Sequence, residues 1–139
     1  MQAVIKKALA EGRDVLLEHE LLDALDALGV PTPARRFIPK DQLEALNAAL
    51  EGFAPARAVV KVVSPQILHK SDVGGVKLLE SFSAEAVAES AATIMGGLDE
   101  ELRGTVLGML VEEAVDFESR MGNELLVGMR STPDFGPVY

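Results

Sequence analysis

One short stretch gathers most of the side chains in this chain that can do chemistry. An apolar run with one lysine inside it, Ala58-Val59-Val60-Lys61-Val62-Val63, leads into Ser64-Pro65-Gln66-Ile67-Leu68-His69-Lys70-Ser71-Asp72-Val73-Gly74-Gly75-Val76. Glycines let a backbone turn tightly enough for N–H groups to converge on an anion, and ammonium groups neutralise that anion. A histidine with one ring nitrogen free and the other held by an acceptor is a nucleophile. Lys61, His69, Lys70, Gly74 and Gly75 therefore point to a phosphate loop serving nucleotide or phosphoryl chemistry, with Lys77 adding a third nearby cation.

Each feature also has a plainer structural role open to it. Lys61 fits an edge-strand lysine turned to solvent, the Gly-Gly pair an ordinary tight turn, and His69 a loop histidine in a structural hydrogen bond. Asp72, three residues after His69, either orients the imidazole or caps the turn. The other histidine of the two, His19 in Leu17-Glu18-His19-Glu20, reads as a solvated helix residue.

The elements that must position these groups follow from periodicity. Residues 1–12 read as a short helix closed near Gly12. Leu16, Leu17, Leu21, Leu22, Leu25 and Leu28 recur at helical steps over 14–28, ended by Gly29 and Pro31. A strand is expected at 34–38, then a helix at 41–50 with Asp41 as its cap and Glu44 completing a capping box. Residues 57–63 have the composition of a buried central strand, 76–80 of another, and 83–97 of a helix. Strands are expected at 105–111 and 123–130, and Phe135-Gly136-Pro137-Val138-Tyr139 resembles the entrance to one more, on which the chain is read as cut short. The pattern is a mixed α+β fold with antiparallel pairing, not a doubly wound sheet.

Composition narrows the function classes. A net charge of −9 excludes a nucleic-acid binder, whose phosphate partner demands a cationic face. It leaves a nucleotide site open, since that needs only a local cluster. With 48% hydrophobic but only 4% aromatic residues, the core must rest on Ala, Leu and Val. The absence of cysteine excludes disulfides, thiolate nucleophiles and Cys-type zinc sites. No window approaches the roughly 18 apolar residues of a membrane span, and the N-terminus lacks a signal-peptide h-region, so a soluble cytoplasmic protein is expected.

The segment Val-Val-Lys-Val-Val-Ser-Pro-x-Ile-Leu-His-Lys-Ser-Asp-Val-Gly-Gly-Val-x-Leu, from Val59 to Leu78, resembles the ATP-grasp domain of NDP-forming acyl-CoA synthetases, the ADP-forming acetyl-CoA synthetases related to succinyl-CoA synthetase. Residues 16–33, with Glu-His-Glu and Leu-Gly-Val-Pro-Thr-Pro, resemble the opening helix and turn of that domain. Residues 123–138 resemble its later strand and loop.

The resemblance implies a lid-like subdomain over 14–115, preceded by a helix or linker at 1–13 and followed at 116–139 by the hinge and the start of a second subdomain. It implies that Lys61, Gly74 and Gly75 contact nucleotide phosphates. The backbone of Glu112, Glu113, Ala114 and Val115 would receive adenine, and Glu124 would approach the ribose or phosphates; for Glu112, Glu113 and Glu124 a solvated rim charge is the other role open. It implies that His69 takes a phosphoryl group from a phosphohistidine on a CoA-binding subunit or fused domain and passes it to ADP. The cofactors implied are ATP or ADP and Mg²⁺, whose ligands are expected beyond Tyr139. The reaction implied is acyl-CoA + ADP + phosphate to acid + ATP + CoA. The alternative is a non-catalytic lid or interaction fragment, inactive alone.

Overall fold

The computed structural model describes residues 2–118, together with the backbone of Arg130–Thr132 and Gly136–Val138. The expected strand at 123–130 and Glu124 lie outside the described residues, except that Arg130 begins a strand. In chain order the elements are α1 (Gln2–Ala10), α2 (Glu18–Asp26), β1 (Arg35–Pro39), a 3₁₀ turn (Lys40–Ala45) running into α3 (Leu46–Ala49), and β2 (Ala58–Val63). A second 3₁₀ turn (Lys70–Val73) precedes β3 (Val76–Leu79), followed by α4 (Ala84–Gly97), α5 (Glu100–Thr105) and β4 (Gly108–Glu113). Two further strands, β5 (Arg130–Thr132) and β6 (Gly136–Val138), pair with each other.

The main sheet has four strands in the order β1-β4-β2-β3, every neighbour antiparallel. Alternation along β2 and β4 divides the sheet into two faces of different character. Ala58, Val60 and Val62 of β2, Met109 and Val111 of β4, and Ile38 of β1 join Val87, Ala91 and Ile94 of α4 in the main core. The opposite face holds Phe37, Lys61, Val63, Leu110 and Glu112, covered in part by Leu17 and Leu22 around α2. Its apolar cluster is small, so charge pairing must carry much of the docking there.

Several boundaries differ from expectation for local reasons. α2 begins at Glu18 rather than at 14, because Arg13 is committed elsewhere. Its guanidinium donates to both oxygens of buried Glu20 at 3.0 and 2.7 Å and to the Val15 carbonyl at 2.9 Å. Glu20 in turn accepts the Leu17 N–H at 3.0 Å. The leucine stripe is only in part the buried face: Leu17 is buried and Leu22 packs beside it, whereas Leu21 and Leu28 are exposed and Glu20 and Ala24 are buried instead. The segment after β1 turns at once into 3₁₀ geometry, leaving Asp41 inside the turn rather than capping it.

By contrast, Ser83 caps α4 as its position suggests, its Oγ accepting the Ala86 N–H at 3.1 Å. The unforeseen helix α5 is capped by Asp99, whose carboxylate accepts the Leu102 N–H at 2.8 Å, and it pushes the start of β4 back to Gly108.

Gly108 sits where strands β4 and β1 meet most closely. A Cβ added there would lie 2.2 Å from the Ile38 carbonyl oxygen and 2.9 Å from the Phe37 ring. Gly108→Ala is therefore expected to lower the free energy of unfolding by about 2–3 kcal/mol, the scale of a core overpacked by one methyl group. Gly96→Ala, with nothing within 4 Å of the added methyl group, is expected to stabilise the protein by about 0.5–1 kcal/mol. Urea unfolding of both variants checks this, and equal effects would contradict it.

Candidate functional site

Lys61 projects from β2 on the α2 face, flanked across the sheet by Leu110 and Val76. A lysine in that position is tolerable only with partners. Its Nζ donates to Glu18 Oε1 at 2.6 Å and pairs with the Glu112 carboxylate two positions along β4. Glu112 is buried, so one of the candidate adenine residues turns out to be the fixed counter-ion of Lys61. The second oxygen of Glu18 accepts from Lys70 Nζ at 2.8 Å. One carboxylate at the start of α2 thus bridges two ammonium groups, and the positive end of the helix favours its charge there.

Burial alone would push the Glu18 carboxyl up and the Lys61 ammonium down. Hydrogen bonds and ion pairs outweigh it in both cases. Glu18 is held below the ordinary carboxylate range by Lys61 and Lys70. Lys61 is raised above the ordinary lysine range by Glu112 and Glu18. Glu18 and Lys61 are therefore both ionised at neutral pH.

The loop between β2 and β3 is pinned at both ends. Ser64 Oγ lies 2.7 Å from Thr105 Oγ1 and accepts the Gln66 N–H at 3.1 Å, while Ile67 is buried. The 3₁₀ turn is closed by Asp72 N–H to the His69 carbonyl and Gly74 N–H to the Ser71 carbonyl, both at 3.2 Å. Gly75 N–H then donates to the Lys70 carbonyl at 2.7 Å, and the Gly75 carbonyl accepts the Val62 N–H at 2.8 Å.

The two glycines have distinct duties. Gly74 takes a φ of +67°, and a Cβ on Gly75 would fall 2.6 Å from Val62 Cγ1. Their N–H groups, expected to face an anion, are used inside the turn; cationic side chains supply the positive charge instead.

These groups meet at an open hollow of about 400 Å³ lined by Glu18, Lys61, Leu68, His69, Lys70, Ser71, Asp72 and Val76. His69 stands exposed on its rim. Among the described residues neither Asp72 nor any other side chain hydrogen-bonds the His69 ring, so Asp72 neither orients the imidazole nor closes the turn with its carboxylate. Lys77 does not join the cluster. It lies opposite Val60 on β3, which puts it on the α4 face of the sheet.

The hinge candidates are also resolved in part. Glu113 N–H donates to the Ala34 carbonyl at 2.8 Å and Ala114 N–H to the Arg57 carbonyl at 3.0 Å. The Arg57 side chain links the residue after β3 to the segment after β4, bonding Glu80 at 2.9 Å and Asp116 at 2.5 Å. Val115 is exposed.

His19 is not a solvated helix residue. Its ring stacks on Phe37 with centroids 3.9 Å apart and planes 4° from parallel, and Nδ1 is buried without a partner among the described residues. Burial holds it below the ordinary histidine range, and hence neutral.

Comparison with known proteins bears on the family and the fold. A family model described as an ATP-grasp domain matches residues 7–139. The 4-hydroxybutyrate–CoA ligase (ADP-forming) of Nitrosopumilus maritimus is 36% identical over 92% of this chain and 17% of its own length. The beta subunit of acetate–CoA ligase (ADP-forming) I of Pyrococcus furiosus is 36% identical over 97% of this chain and 55% of its own. The chain therefore spans about half of the separate subunit and under a fifth of the longer ligase. A solved structure of the dinucleotide-forming acetyl-coenzyme A synthetase 1 of Ca. Korarchaeum cryptofilum is also similar. It contains coenzyme A, acetyl-coenzyme A and a phosphorylated phosphohistidine segment. That chain superposes with a TM-score of 0.70 at 33% identity, over 98% of this chain and 55% of that one.

The carboxylates give the face an acid limit. Glu18 and Glu20, whose ordinary value is 4.5, are both depressed in the folded state, Glu20 because the Arg13 and Leu17 hydrogen bonds overcome its burial. A depressed carboxyl stabilises the fold fully above its unfolded value and loses that contribution as pH falls through the folded one. Urea midpoints are thus expected to fall steeply below about pH 4.5, and a Glu18→Gln, Glu20→Gln variant to show a shallower fall. Parallel profiles would contradict the assignment.

Proposed function

The chain belongs to the ATP-grasp domain family, and on that premise we propose that its hollow receives the phosphates of ADP or ATP. The reading further makes it the nucleotide-binding part of an NDP-forming acyl-CoA synthetase, in which acyl-CoA + ADP + phosphate yields acid + ATP + CoA. The observation that carries this is the convergence of Lys61, Lys70 and exposed His69 on one open hollow. An ammonium pair beside an open, half-buried surface suits a polyphosphate, and phosphoryl transfer asks mainly for positioning and charge neutralisation.

Each residue then has a role. Lys61, with its charge secured by Glu112, and Lys70 hold phosphate oxygens. Gly74 and Gly75 fix the loop against β2. The adenine edge falls to hinge backbone from Val115 onward, the N–H groups of Glu113 and Ala114 being already bonded. His69 offers a ring nitrogen to an incoming phosphoryl group: the P–N bond to a donor phosphohistidine on the CoA-binding partner breaks as the bond to His69 forms. His69 then releases that group to an oxygen of the ADP β-phosphate. The phosphohistidine segment in the Korarchaeum structure supports such a relay by likeness. Bound nucleotide supplies the phosphoryl acceptor; Mg²⁺ is assigned no ligand here, as the described residues contain no cluster of acidic or histidine side chains suited to a metal.

In the full-length protein with its CoA-binding part, His69→Ala is expected to abolish the acid-labile phosphoenzyme formed from radiolabelled ATP while changing the Mg-ADP dissociation constant less than about twofold. Lys61→Met is expected to weaken Mg-ADP at least about tenfold, as befits loss of a hydrogen bond to a charged group. Phosphoenzyme persisting in His69→Ala would remove the relay. Unchanged ADP affinity in Lys61→Met would remove the phosphate assignment.

A further inference from the structure

We infer that Glu18 is the resident counter-ion of the phosphate subsite, a carboxylate that occupies the place of a phosphate and must be displaced when a polyphosphate binds. The inference rests on the nucleotide reading above and adds to it a residue that sets affinity. Its two oxygens contact the two ammonium groups separately, Oε1 to Lys61 at 2.6 Å and Oε2 to Lys70 at 2.8 Å. A phosphate presenting two anionic oxygens in the hollow would make the same pair of contacts.

The two glutamates of the cluster differ in how freely they can leave. Glu112 is buried on β4 and, among the described residues, paired with Lys61 alone, so it remains with the protein. The Glu18 side chain is 27% exposed, on the first residue of α2, and it borders the hollow itself. It also borders a smaller adjoining hollow of about 70 Å³ between Val15, Leu17, Ile67 and Lys70, which gives a displaced carboxylate somewhere to turn. Lys61, Lys70, Glu18 and Glu112 together carry no net charge. Withdrawal of Glu18 leaves Lys70 without an ion-pair partner among the described residues and the trio Lys61, Lys70 and Glu112 with one net positive charge beside the hollow, whose other acidic residue is Asp72.

The test is calorimetric titration of the full chain and of Glu18→Gln with Mg-ADP, with inorganic tripolyphosphate, and with uncharged adenosine. Glu18→Gln is expected to tighten both anionic probes roughly fivefold, the scale of one half-exposed ion pair, and to leave adenosine unchanged. Glu18→Asp, too short to bridge both lysines, should fall between. In the unsubstituted chain, the Glu18 side-chain carboxyl ¹³C resonance should move on saturation with tripolyphosphate while that of Glu112 stays near its place.

Unchanged or weaker binding to Glu18→Gln, with the unsubstituted chain binding normally, would overturn the inference and leave the nucleotide reading intact. A Glu18 resonance unmoved at saturation would do the same without any variant. Failure of both proteins to bind either anionic probe would overturn the nucleotide reading, and this inference with it.

Discussion

The charge of Lys61, set into one face of the sheet, is the constraint around which this molecule is arranged. An ammonium group on a central strand is costly in isolation and becomes stable only through partners that keep it ionised. Glu112 provides one from the neighbouring strand, and Glu18 provides another from the helix laid across that face. Because Glu18 also holds Lys70, a single carboxylate ties α2, β2 and the following loop together. The α4 face, packed with Val, Ile and Met, supplies the ordinary hydrophobic stability that lets the other face remain polar.

This division explains how a short segment can be both rigid and reactive. Residues 64–75 are anchored by Ile67, by the Ser64–Thr105 hydroxyl pair and by the bond between Gly75 and Val62. Gln66, Leu68, His69 and most of the turn after them stand out from that frame. The glycines serve placement rather than direct anion contact, and the lysines carry the field. In the proposed phosphate role, the segment would depend on side-chain charge held in a fixed geometry more than on a nest of backbone donors.

Much of this was legible in the residues themselves. The apolar, β-rich run of β2, the Gly-Gly turn and the Ser83 cap are local signals, and each marks an element close to its true place. The family pattern over 59–78 is equally local, and family membership follows it. Other features depend on distances along the chain that no spacing encodes. Lys61 and Glu18 are 43 residues apart in sequence, and the bridging carboxylate goes unseen without the fold.

Register is the second blind spot. Lys77 looks like a neighbour of Lys61 in sequence, yet pairing with Val60 sends it to the other face. His19 looks solvated until β1 brings Phe37 beneath it. The helix α5 is too short for its periodicity to stand out, and only the Asp99 cap betrays it.

The most direct test of the central claim is a lysine side-chain NMR titration of the ¹⁵N-labelled chain with Mg-ADP. The account predicts that the Nζ resonances of Lys61 and Lys70 shift together on saturation while that of Lys77, on the opposite face, does not. A shift at Lys77 with Lys61 and Lys70 unmoved would place the ligand elsewhere and contradict it.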